Sequence, residues 1–185
     1  MRHCAIGAVA IPVGASSGAA PIAAGDLLLI MQMQDANITT TNGIAYGDGS
    51  TGSGVSALNS SGKYEYVRAS GPVVAGSVPL ATPLVNAYTS STFAGSATAG
   101  QRTFQVIRVP QYSSVTGGAA LTSLPWNGSV GGVLALDSTG SLNWNNQTIN
   151  VSGQGFRGGG GRGRSLNMPP QTVADQWYCA RPPGI

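Results

Sequence analysis

Gly25-Asp26-Leu27-Leu28-Leu29-Ile30-Met31-Gln32-Met33-Gln34 decides the class of fold. Gly25-Asp26 is a turn pair, and the run from Leu27 to Ile30 is apolar without interruption. It then alternates, with Met31 and Met33 opposing Gln32 and Gln34. This pattern predicts a β-strand buried on both faces at its start and wetted at its end. Working outward, no window shows apolar residues at sustained helical spacing. Strand patterns recur instead. A strand is expected around Val9–Val13. Lys63-Tyr64-Glu65-Tyr66-Val67-Arg68 alternates aromatics with charges, which predicts a strand with one packed face. Val73–Leu84 holds Pro79 and Pro83 and reads as an edge or an interrupted strand. Thr103–Val109 alternates again until Pro110. The expectation for residues 1–112 is a small antiparallel β-barrel or sandwich.

After Tyr112 the pattern changes. Val115-Thr116-Gly117-Gly118-Ala119-Ala120-Leu121 and Leu136-Asp137-Ser138-Thr139-Gly140-Ser141-Leu142 share an aliphatic start, a glycine and a closing leucine. The two lie 21 residues apart, an offset at which one β-solenoid coil repeats on the next. Residues 113–156 are therefore expected to be the first coils of a β-solenoid, β-helix-like, with inward aliphatics and tight glycine turns. Residues 157–185 form a glycine/arginine tract and an irregular tail.

Composition narrows the class. Only 8 % of the 185 residues are charged and 6 % aromatic, far below the charge content of an average soluble domain. Glycine, serine, threonine, alanine and asparagine take their place, as suits secreted β proteins and repeat surfaces. The net charge of +3 is modest, and three of the nine basic residues sit in the glycine tract. No protein-wide field steers nucleic acid. Cys4 and Cys179 could close a long loop in an oxidising compartment, or both could be unpaired thiols. No apolar run reaches the roughly 18 residues that a membrane-spanning helix needs. Met1-Arg2-His3 and the small apolar residues after it faintly resemble an export signal, but Pro12 and Gly14 favour a strand there.

The inventory for catalysis is thin. His3 is the sole histidine and is expected at a frayed terminus, which excludes a well-packed Ser-His-Asp triad and a histidine metal cluster. The acids Asp26, Asp35, Asp48, Glu65, Asp137 and Asp175 share no motif, so a paired-carboxylate site would have to be assembled by the fold. Asp26 is expected to cap a turn and Glu65 to lie on a solvated face. Asp48, in a glycine- and serine-rich loop, could supply one ligand to calcium, which needs six to eight oxygens and usually several carboxylates. No cofactor or metal is expected, and the chain is expected not to be an enzyme. Sequons at Asn37, Asn59, Asn127, Asn146 and Asn150 are weak evidence in a chain this rich in asparagine, serine and threonine.

Two constellations remain as binding candidates. Trp126-Asn127 and Trp144-Asn145-Asn146 set indoles beside amides, so Trp126, Asn127, Trp144 and Asn146 are candidate glycan contacts. Burial at a junction or coil end is the competing reading. Phe156, Arg157, Arg162 and Arg164 are the candidates for a nucleic-acid alternative, with Phe156 stacking on a base and the arginines on phosphates. About three phosphate contacts give only weak binding, so glycines serving turns or a linker are the preferred reading of that tract.

Five blocks in order carry a resemblance. They are Ile22–Gln34, Gly62–Val67, Val106–Tyr112, Pro125–Val133 and Ile149–Gly159. Together they resemble the N-terminal segment of very large, glycine-rich secreted proteins of bacteria. The resemblance spans roughly residues 9 to 164 and ends where Ser165–Ile185 turns to Met168-Pro169-Pro170 and Arg181-Pro182-Pro183. It implies an extracellular or cell-envelope protein with a glycine-rich, solenoidal later part, of which this chain is a fragment. The expected function is a non-enzymatic structural or adhesive module, with glycans or other cell-surface components as partners. The N-terminal, non-catalytic part of a carbohydrate-active β-helix enzyme is the alternative.

Overall fold

The computed structural model describes residues 2–18, 20–38, 55–92 and 101–156. Among these every regular element is a β-strand. In chain order they are β1 (Arg2–Cys4), β2 (Ala10–Pro12), β3 (Leu27–Gln34), β4 (Asn37–Ile38) and β5 (Val55–Ala57). Then come β6 (Tyr64–Arg68), β7 (Ser77–Pro79), β8 (Tyr88–Ser90) and β9 (Thr103–Val109). The last four are β10 (Gln111–Tyr112), β11 (Val115–Thr116), β12 (Asp137–Ser138) and β13 (Leu142–Asn143). The glycine-rich loop around Asp48, Cys179, Asp175 and the arginines 157, 162 and 164 lie outside the described residues.

β3 is the centre. It pairs antiparallel with β6 on one side and with β9 on the other. Leu28 and Ile30 are fully buried, and join Cys4, Ile11, Val67, Ala69, Val78, Leu80, Leu84 and Tyr88 in one core. That core draws on the antiparallel pairs β1–β8 and β2–β7. Each such aliphatic side chain removed from water stabilises by about 1.5–3 kcal/mol. Successive residues of a strand face opposite ways, so Leu29 points out of this core, yet it too is buried. β9 behaves alike. Phe104 and Val106 pack on the core, while Thr103, Gln105 and Val109 are buried on the outer face. The start of β3 is thus buried on both faces, as the apolar run predicted.

Its end departs from the prediction. Gln32 is fully buried rather than wetted. Its Nε2 donates to the carbonyls of Thr89 at 2.7 Å, Gln34 at 2.9 Å and Thr103 at 3.3 Å. Its Oε1 accepts from Thr89 N at 2.9 Å. The β3–β9 register slips between Gln32 and Gln34, a bulge of the kind that re-aims a side chain. A buried amide is stable only when its donors and acceptors are matched, and here β8 and β9 supply the match.

β6 turns the opposite way from its sequence reading. Tyr64 and Tyr66 are exposed, while Val67 is buried. Glu65, expected on a solvated face, accepts from Val85 N and Asn86 N at 2.9 Å each and from the Tyr88 hydroxyl at 3.0 Å. Its carboxylate therefore fixes the 84–88 turn to the sheet. Burial, and then the bond to Glu65, push the Tyr88 phenol above its ordinary range. An acid whose folded pKa is raised lends stability that is present below its unfolded value, about 10, and is lost as pH climbs beyond it. Tyr88→Phe is therefore expected to lose about 1–2 kcal/mol at neutral pH and to show a shallower alkaline decline than the parent. Urea denaturation at pH 7 and across pH 9–11 checks both.

The turn before β3 is capped as expected: Asp26 Oδ2 accepts from Ala23 N at 2.8 Å. The same oxygen takes Arg108 Nε at 2.7 Å, and this guanidinium holds the Asp26 carboxyl below its usual value. Stability from Asp26 is present above the ordinary carboxylate range and lost as pH falls through the lowered value. At the N-terminus, His3 is not frayed but stands opposite Thr89 in the β1–β8 pair. Cys4 is a buried free thiol whose Sγ donates to Ala10 O at 3.3 Å.

Beyond β9 the pairing becomes parallel. β10 lies alongside β12, β11 alongside β13, and Leu121 bridges Ile149. Backbone hydrogen bonds continue the ladder, from Asp137 N to Pro110 O and Thr139 N to Tyr112 O at one end. At the other, Leu121 N donates to Thr148 O and Trp126 N to Gln154 O. Residues 110–126 and 137–154 are thus two parallel passes of chain. The register is not that of the 21-residue echo: Val115 stands opposite Leu142, not Leu136, and Leu121 opposite Ile149, not Leu142. The strand pairs form six small sheets among the described residues, which show neither a closed barrel nor a repeating solenoid.

Candidate functional site

The first pass and the loop that follows it are tied to the outer face of the β6–β3–β9 sheet by polar contacts. Gln105 Nε2 donates to Gly131 O at 3.0 Å and Gly131 N donates to Gln105 Oε1 at 2.8 Å, both buried. At the other end of the sheet, Arg68 Nη1 donates to Gln111 Oε1 and to Gly25 O, each at 2.8 Å. Gln111 Nε2 donates onward to Asp137 Oδ2 at 2.8 Å. Two open hollows border this junction.

The larger, about 390 Å³, is lined by Gln34, Trp126, Asn127, Gly128 and Phe156. It forms because Gly132 N donates to Leu124 O and Asn127 N to Val130 O, folding 124–132 into a tight loop. Gly128, Gly131 and Gly132 there have φ of 100°, 106° and 74°, a region that side chains resist. Trp126 is only 8 % exposed, and its ring lies 4.5 Å from that of Phe156 at 46°. Phe156, at 53 % exposure, is the exposed ring of the pair. Gln34, whose buried Oε1 has no hydrogen-bond partner, lines the same hollow. An aromatic face with amides at its edge is what a sugar ring requires, since its C–H groups stack while its hydroxyls bond.

The four candidate glycan contacts separate in the fold. Trp126 and Asn127 border this hollow, but Asn127 Oδ1 is committed to its own turn, accepting from Ser129 N and Val130 N at 2.9 Å each. Trp144 and Asn146 lie elsewhere, in a turn closed by Gln147 N donating to Trp144 O at 2.7 Å. Asn145 and Asn146 have φ of 46° and 58°, a mirror-image turn that asparagine tolerates better than most residues. Trp144 offers its backbone to Gly117, whose missing side chain makes room for it. The second pair therefore serves the geometry of its own turn. Of the nucleic-acid candidates, Phe156 is described and pairs with Trp126.

Sequence reasoning passed over Phe156 as a partner of Trp126, since 30 residues separate them and only the parallel passes join them. It also missed the exposed Tyr64–Tyr66 pair. The signal was present, because Val67 shares a face with Glu65 and marks that face as the packed one. Among the described residues no group of three or more histidine, cysteine, aspartate and glutamate side chains could hold a metal ion. No helix among them is long and apolar enough to cross a membrane. The sequence matches no family model, and no curated protein matches it.

Proposed function

We propose that the chain is a non-enzymatic structural and adhesive module of a secreted bacterial surface protein. In this reading a small antiparallel sandwich forms a base, and the first coils of a β-solenoid start on its outer face. The observation that carries the proposal is the parallel ladder between residues 110–126 and 137–154. A chain that returns in parallel register on itself without a helical crossover builds a stack, and stacks serve as extended display surfaces. The ordered blocks that resemble glycine-rich secreted proteins support the same reading. So does the scarcity of charge, which leaves hydroxyls and amides to face the surroundings. The action is passive: Phe156 and the amides around it meet glycans at the cell surface or envelope, and no bond is made or broken.

Retention of the protein on insoluble polysaccharides and on bacterial cells is the test. Binding above a size-matched control, reduced at least several-fold in Phe156→Ala, is the expected result. Equal retention on every surface, glycan-coated or bare, contradicts the adhesive role.

A further inference from the structure

The second hollow lies at the opposite end of β3 from the first. Leu27, Tyr66, Val109, Leu136 and Asp137 line about 260 Å³ of open space. Pairing sets Tyr66 opposite Leu29 and Tyr64 opposite Met31, so both rings stand on the outer face. Tyr66 is 55 % exposed and Tyr64 57 %. The rings meet edge to face at 6.2 Å and 85°, which leaves one platform rather than two in a row. Asp137 Oδ2 is held by Gln111, and Gln111 by Arg68. Asp137 Oδ1 has no protein donor among the described residues.

We infer that this hollow is a subsite for a single neutral hexopyranose unit of a polysaccharide. The inference rests on the adhesive reading and adds a second place of contact to it. Three observations fix the class. Leu27 and the ring of Tyr66 offer apolar surface to the flat C–H face of a sugar with equatorial hydroxyls. The free Asp137 oxygen accepts from a hydroxyl, and its other oxygen is pinned by Gln111, so little orientation is lost on binding. Charge is balanced, because Arg68 and Asp137 are joined through Gln111 and Asp26 is paired with Arg108. A uronic acid would set its carboxylate against Asp137, and Arg68, the cation joined to that acid through Gln111, already gives its Nη1 to Gly25 O and Gln111 Oε1. The volume lies just under the roughly 300 Å³ where drug-sized ligand sites begin, which suits one ring.

The test is an NMR titration of the whole chain, with ring-labelled tyrosine, against cellopentaose, laminaripentaose, chitopentaose and pentagalacturonate. At least one neutral oligosaccharide is expected to shift the Tyr66 ring signals. Its affinity should fall about tenfold or more in Tyr66→Ala and several-fold in Asp137→Asn, while Tyr66→Phe stays near the parent value. Asp137→Asn, a nearly isosteric change on the surface, keeps the test open should Tyr66→Ala fold poorly. Neutral binding that is undiminished in both variants overturns the subsite and leaves the adhesive reading standing on Phe156. Binding of pentagalacturonate alone also overturns it. Binding of none of the four, with no retention on polysaccharide or cells, removes both.

Discussion

Gly131→Ala is expected to destabilise the protein by about 4 kcal/mol, the largest effect of any single methyl group here. Two penalties combine. The φ of 106° is one that L side chains rarely adopt, and strain of this kind costs about 1–3 kcal/mol. An added Cβ would also overlap the carbonyl oxygen of Pro125 and approach the Pro125 carbonyl carbon at 2.7 Å and Leu124 O at 2.9 Å. Backbone cannot step aside as a flexible side chain can. Any shift of 124–132 would also break the two buried bonds to Gln105, leaving an amide in the sheet unmatched. For a chain of this length the melting temperature should drop by about 10 °C. Hydrogen exchange should quicken in 124–132 before it does in the core around Ile11 and Val78. A change below about 1 kcal/mol would mean that the loop does not sit on the sheet as described.

Gln32→Leu is expected to cost about 3 kcal/mol, although leucine is apolar, similar in size and placed in a core. The substitution removes an amide that bonds four groups: Thr89 N and the carbonyls of Thr89, Gln34 and Thr103. β8 would lose its side-chain tie to β3. The matched control is Gln34→Leu, two residues on, where the amide oxygen already lacks a partner; its effect should stay within about 1 kcal/mol. Urea denaturation of the two variants side by side distinguishes a buried polar latch from a generic core position. Equal midpoints for Gln32→Leu and the parent would remove the latch from the account.

These two positions show what the sequence could and could not disclose. The strand Leu27–Gln34, the strand Thr103–Val109 and the weak edge at Pro79 were legible, because apolar alternation and proline report directly on which face is covered. Gln32 was not. Periodicity assigns polar residues to water and has no means of seeing that β8 and β9 bring matching backbone groups to an amide. Glu65 misled for the same reason: its carboxylate faces inward because Val85, Asn86 and Tyr88 supply three donors from a turn 20 residues away. The echo between Val115–Leu121 and Leu136–Leu142 suggested a period of 21, yet the passes pair at a longer offset. Pairing register is set by loops and turns, here the tight 124–132 loop that leads out of the first pass and the Asn145-Asn146 turn within the second, and those lengths are not encoded by similarity between the strands. In the candidate site, Trp126 and Asn127 were found by their chemistry. Phe156, Tyr64 and Tyr66 depended on which pass lies beside which strand, and on which side of β6 the packed face falls.

The parallel passes underlie both the adhesive reading and the placement of the two hollows. Methyl–methyl nuclear Overhauser contacts test them most directly, with valine, leucine and isoleucine methyls labelled. Contacts between Val115 and Leu142 and between Leu121 and Ile149 are the predicted result. Contacts between Val115 and Leu136 and between Leu121 and Leu142 instead, or none joining the two passes, would contradict it.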